Sequence, residues 1–244
     1  MMQFTDLVLR MHVLAGTAAL IAAPLAAVAK KGARLHRLAG RAFFWAMTIV
    51  VASAGVIQLV RPTPFLLAIA VLSFYFCFTG YRHAGLLGPP PERSPRAADL
   101  VAAAAMLVAC IALLAYGVLA ASGADLGGWS GASRASGGAS NLAVVAIALG
   151  ILGCTFALFD LVAFKQSAPT PDGWLFTHMG RMLGAWIAAL SAFSVVNLQM
   201  LPPTVRWLWP TVIGTPLITA WIIAYGRRLH GRRAVVRASG LEIS

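Results

Sequence analysis

Three of the five histidines, His36, His83 and His178, lie where long apolar runs meet basic residues. A helical reading of those runs brings all three to one edge of a membrane bundle. His36 stands in GARLHRLAGRAFFWAM, His83 in FTGYRHAG and His178 in LFTHMGRMLGAW. Asp160, in CTFALFDLVAFK, is read as the only carboxylate inside a span. At 1.5 Å rise per residue it lies about 7 Å from Lys165 along the axis, in the same layer. An ionisable group inside a span is costly and turns toward a partner. Arg41, Arg82 and Arg181 stand at the depth to supply one.

Neutral imidazoles with a carboxylate form a site for a first-row transition metal, here His36, His83, His178 and Asp160. Two histidines on different helices can ligate haem b from opposite sides. Arg41, Arg181 and Trp186 then stand nearby as cofactor contacts, Trp186 as a wall two turns from His178. The same set can also relay protons or bind an anionic headgroup. It can equally serve only to lock helices together. No tight motif such as HExxH selects among these.

The elements that must position these residues are seven helices, expected over residues 7–28, 35–60, 65–86, 96–121, 141–165, 174–199 and 205–228. Only 11% of the chain is charged and 60% is hydrophobic, with mean hydropathy +0.83. A soluble domain is about one quarter charged, and a span needs about 20 apolar residues. The fold class is therefore an all-α polytopic membrane bundle: one domain over 1–228 and a basic cytoplasmic tail over 229–244. Gly88-Pro89-Pro90-Pro91 breaks the third helix, and Ser122 to Ser140 reads as a flexible loop. The N-terminus lacks the basic region of a signal peptide, so the first span is expected to be retained.

The net charge of +12 raises a nucleic-acid partner. The basic residues, however, sit in connections between apolar runs, which in a membrane protein signals orientation. Of 19 Lys and Arg, 15 fall on the side holding the tail and the connections after the first, third and fifth helices. The remaining four are Arg10, Arg61, Arg134 and Arg206. This places the N-terminus outside and the C-terminus in the cytoplasm, with anionic headgroups as partners of the basic face. A membrane-protein partner or a homo-oligomer is compatible with this surface, and nucleic acid is not expected.

His12 falls at the opposite end, about 27 Å from the histidine layer, with Gln58, Tyr116, Asn197 and Gln199 expected at its level. His230, in the basic tail, reads as solvated or headgroup-facing. Trp129, Trp174, Trp207 and Trp209 suit an interfacial belt. Cys77, Cys110 and Cys154 fall in apolar runs without a CxxC pair and read as small hydrophobes. Gly150 with Gly153, and Gly180 with Gly184, are spaced to let helices approach closely. The last helix lacks a lysine, which excludes a retinal Schiff base.

His12 with Pro24, then LHRLAGRAFF, then HMGRMLGAW resembles a bacterial family of predicted multi-span membrane proteins of unknown function, with HR-x-x-GR and H-x-x-RM motifs. The resemblance covers the first, second, sixth and seventh helices. It implies about seven helices and the plasma membrane. It marks His12, His36, Arg37, Gly40, Arg41, His178, Arg181 and Met182. It implies no reaction. A fainter similarity to haem-carrying ferric-reductase-like domains is carried by HRLAG alone. The expected function is a haem b or metal site at the cytoplasmic edge, serving electron transfer. The alternative is a non-catalytic accessory subunit or a small-molecule transporter.

Overall fold

A computed structural model of the 244-residue chain describes residues 2–60, 62–85, 95–124, 139–165 and 172–238. The described residues form seven helices: α1 Met2–Val28, α2 Arg34–Val60, α3 Pro64–His83, α4 Ala97–Ala121, α5 Ala139–Ala163, α6 Gly173–Asn197 and α7 Pro203–Ala238. All seven are long and apolar enough to cross a membrane. Helices satisfy their backbone N–H and C=O groups internally, which hydrocarbon demands.

Antiparallel neighbours pack in pairs, α1 along α2 and α4 along α5. Helix α3 stands between these pairs, touching α2, α4 and α6. It is the most enclosed span, and α7 the least. Phe43, Met47, Phe65, Cys77, Met106 and Leu113 are fully buried in the shared core. Glycine sets the closest approach, between α4 and α5. A Cβ on Gly117 would lie 2.6 Å from Ile147 Cγ1, and one on Gly150 would lie 2.7 Å from Leu114 Cγ. One on Gly153 would collide with Cys110 Sγ. Gly180 and Gly184 do not act this way. Their nearest neighbours would stand 3.7 Å from an added Cβ, so they leave room rather than close it.

Helix boundaries differ from expectation by three residues or more at three points, the first being α1, which begins at Met2 rather than near residue 7. Helix α3 ends at His83 because Gly85 takes φ 72° and its N–H turns back to Arg82 O at 3.0 Å. That left-handed conformation is one glycine adopts without strain. Helix α7 does not stop near residue 228 but continues to Ala238, carrying helix into the basic segment. Gly88 to Pro91, the loop centre at 125–138, Trp129 and the side chain of His230 lie outside the described residues.

Candidate functional site

Each of His36, His83 and His178 is fixed through Nδ1 on a backbone carbonyl. His36, in the first turn of α2, donates to Ala26 O of α1 at 2.9 Å. His178, in the first turns of α6, donates to Gly80 O of α3 at 2.8 Å. His83, at the end of α3, donates to Thr79 O at 2.7 Å. A helix leaves its last carbonyls without intrahelical partners. His36 and Lys31 serve that need in α1, Lys31 Nζ reaching Ala27 O at 2.6 Å. His178 serves it in α3, where Gly80 lets α6 approach within 3.0 Å of where its Cβ would stand. A carbonyl only accepts, so Nδ1 carries the hydrogen in all three rings. In the neutral ring, Nε2 is then left with its lone pair.

The structure brings His36 and His178 together, with ring centroids 6.2 Å apart and planes at 77°. Lys31 and His83 lie within electrostatic reach of His178. Lys31 also stands over the Trp221 ring at 4.5 Å, and burial lowers its ammonium pKa from the usual lysine range. The four expected metal ligands do not converge as one group. Among the described residues, no three His, Cys, Asp or Glu side chains are placed to share an ion.

Asp160 is committed elsewhere. Its Oδ1 pairs with Arg181 Nη2 at 2.6 Å, and its Oδ2 accepts the Tyr75 hydroxyl in a short hydrogen bond. All three side chains are buried, and they join α3, α5 and α6. The Arg181 guanidinium also lies over Phe156 at 4.6 Å, Tyr75 at 5.4 Å and Phe76 at 5.5 Å. Of the three arginine candidates, Arg181 is the partner. Arg41 is exposed on α2, with Nε directed to Arg37 O at 3.4 Å. Trp186 stands as a strut, donating Nε1–H to Leu20 O of α1 at 3.2 Å.

Arg82 belongs to a second buried pair. It grips both oxygens of Asp99, with Nε at 2.9 Å and Nη2 at 2.8 Å, and both side chains are buried. Asp160 is therefore not the only carboxylate within a span: Asp6 of α1 and Asp99 of α4 also fall within apolar helices long enough to cross. Asp99 Oδ2 also accepts the Arg96 N–H at 2.8 Å and so caps α4. An acidic residue in the first turn of a helix is a sequence-level sign of such a role. Tyr75 carried no comparable signal, since a tyrosine inside an aromatic run reads as packing.

The polar residues expected at the level of His12 do not gather into one pocket around it. His12 Nδ1 meets Val50 O at 3.1 Å and Ser53 Oγ at 3.0 Å, tying α1 to α2. Gln58 closes on Thr63, Asn197 bonds Phe193 O, and Gln199 bonds Val195 O.

A cavity of about 530 Å³ lies between α3, α5, α6 and α7. Its walls are mostly apolar, interrupted by His83, Asp160 and Arg181. Neither His36 nor His178 lines it. The molecule thus offers two separate places for chemistry: an imidazole pair beside α1, and a greasy chamber with a charged pair in its wall. No protein family, curated protein or solved structure matches this chain.

Proposed function

We propose that this chain is a multi-pass protein of the bacterial plasma membrane that holds a transition metal between His36 and His178 for electron transfer. The metal is a bare first-row ion or the iron of haem b. The observation that carries the reading is the imidazole pair: two rings from different helices, 6.2 Å apart, each with Nδ1–H fixed on a carbonyl. A histidine that binds metal typically donates its other N–H to a carbonyl or carboxylate. Metal–nitrogen bonds of about 2.0–2.1 Å to one shared ion would leave ring centroids about 5–6.5 Å apart, depending on the angle at the ion, a range that holds the observed 6.2 Å. When bound, such a centre supplies one-electron chemistry. The chain's own part is to hold both imidazoles in one tautomer and orientation. The Ala26 and Gly80 carbonyls do this, and the Trp186–Leu20 bond braces α6 against α1.

The asymmetry of basic residues supports an outside N-terminus and a cytoplasmic C-terminus. The pair then lies at the cytoplasmic edge, where a soluble donor or a membrane-protein partner can approach and anionic headgroups meet the basic face. The test is an absorption spectrum with elemental analysis of protein purified in detergent. The expected result is about one metal per chain, with a Soret band if the centre is haem. His36→Ala and His178→Ala should lose it and His12→Ala keep it. Wild-type protein with no Soret band and no stoichiometric metal overturns the reading. A second reading, an accessory subunit or small-molecule transporter, draws on the 530 Å³ cavity. It expects the histidine variants to change assembly or uptake without an optical change.

A further inference from the structure

We infer that the cavity between α3, α5, α6 and α7 binds a neutral, lipid-soluble carbonyl compound of the quinone class, whose oxygen accepts a hydrogen bond from the Arg181 guanidinium. The unmet donor is the starting point. Arg181 is only 5% exposed, and among the described residues its buried Nη1 has no hydrogen-bond partner. A buried donor left unpaired costs about 1–3 kcal/mol, and more when charged. The guanidinium cannot swing away to find one. Asp160 holds Nη2 at 2.6 Å, and the Phe156 ring lies 4.6 Å from Cζ. Arg181 itself lines the cavity, so an acceptor oxygen lodged there lies beside the guanidinium, and a small shift of that group brings the unmet donor onto it.

The chamber suits a ring compound. About 530 Å³ falls within the 300–1,000 Å³ usual for small-molecule sites. Gly180 and Gly184 open space on α6, and Phe76 and Phe156 supply aromatic walls. Charge and depth select a neutral ligand. Asp160 already balances Arg181, so an anion would meet a carboxylate as well as a guanidinium. Arg181 lies eight residues into α6, about 12 Å from Gly173 along the axis, deeper than a phosphate headgroup sits without losing its hydration. A carbonyl on an apolar ring carries no such penalty. Helix α7, the least enclosed span, forms the wall nearest the lipid from which such a compound would enter.

The inference does not depend on the metal reading. The test uses the full chain in nanodiscs of zwitterionic lipid, titrated with a decyl-substituted benzoquinone. Quenching of tryptophan fluorescence gives the readout, since Trp207 lines the cavity. Wild-type protein should quench saturably. Arg181→Lys, which keeps the charge but not the planar donor, should bind at least tenfold more weakly. Gly184→Leu, which fills the chamber and leaves the Asp160 pair in place, should do the same. His36→Ala should bind the quinone unchanged even as it loses metal. Identical, unsaturable quenching in wild type, Arg181→Lys and Gly184→Leu would overturn the inference. Displacement of the quinone by oleate at lower concentration than by a second neutral quinone would overturn it too, in favour of an anionic lipid.

Discussion

The Asp160 carboxylate holds a guanidinium from α6 and a hydroxyl from α3, and all three side chains are buried. Breaking one side of a buried pair costs about 3–5 kcal/mol, because the remaining charge stays buried and uncompensated. Asp160→Asn, nearly isosteric, should therefore lower stability by about that amount. Asp160→Asn combined with Arg181→Met removes both charges and should recover most of the loss. Denaturation midpoints of the two single variants and the double variant in detergent check this. Simple addition of the two single losses would mean the pair is not coupled. At this scale the sequence was only partly legible. An aspartate in an apolar run announces a need for a partner, whereas which of three arginines answers depends on which helix faces it. Arg82 was drawn off by Asp99, a carboxylate at a helix start not weighed as a partner from the sequence. The convergence of His36 with His178 rested on shared depth alone. The same depth did not bring Asp160 to them.

Helices were the most legible elements, because each apolar run is long enough to span and too apolar to do otherwise. Which glycines lie in tight contact was not legible. Two pairs with near-identical spacing behave oppositely: Gly150 and Gly153 stand against α4, while Gly180 and Gly184 border the cavity. Substitution separates them. Gly153→Leu must displace Cys110 and Met106, and overpacking of this kind costs about 1–3 kcal/mol. Gly180→Ala meets only Ile222 Cδ1 at 3.7 Å, an ordinary contact, and should be nearly neutral or slightly stabilising in a helix. Thermal unfolding of both variants side by side checks the contrast. Equal losses would show that the α4–α5 seam has more slack than the backbone separation allows.

Across the whole molecule, seven helices that cross in alternation put the C-terminal ends of α1, α3, α5 and α7 on one face of the bundle. Helix α7 itself, at 36 residues and about 54 Å, outruns a hydrocarbon core of about 30 Å. Its surplus is the arginine-rich end, which suits a helix projecting from the basic face toward headgroups. The chain's three lysines make that face testable without substitution. Lys30 and Lys31 lie between α1 and α2, and Lys165 follows α5, so all three share one side of any membrane the bundle crosses. A membrane-impermeant amine-reactive ester should label these lysines in inside-out bacterial vesicles and not in intact spheroplasts. Peptide mass spectrometry separates them from the N-terminal amine, which should show the opposite pattern. Labelling of the lysines from outside would invert the bundle and move the His36–His178 pair to the outer edge. A donor for the proposed metal would then have to approach from outside the cell.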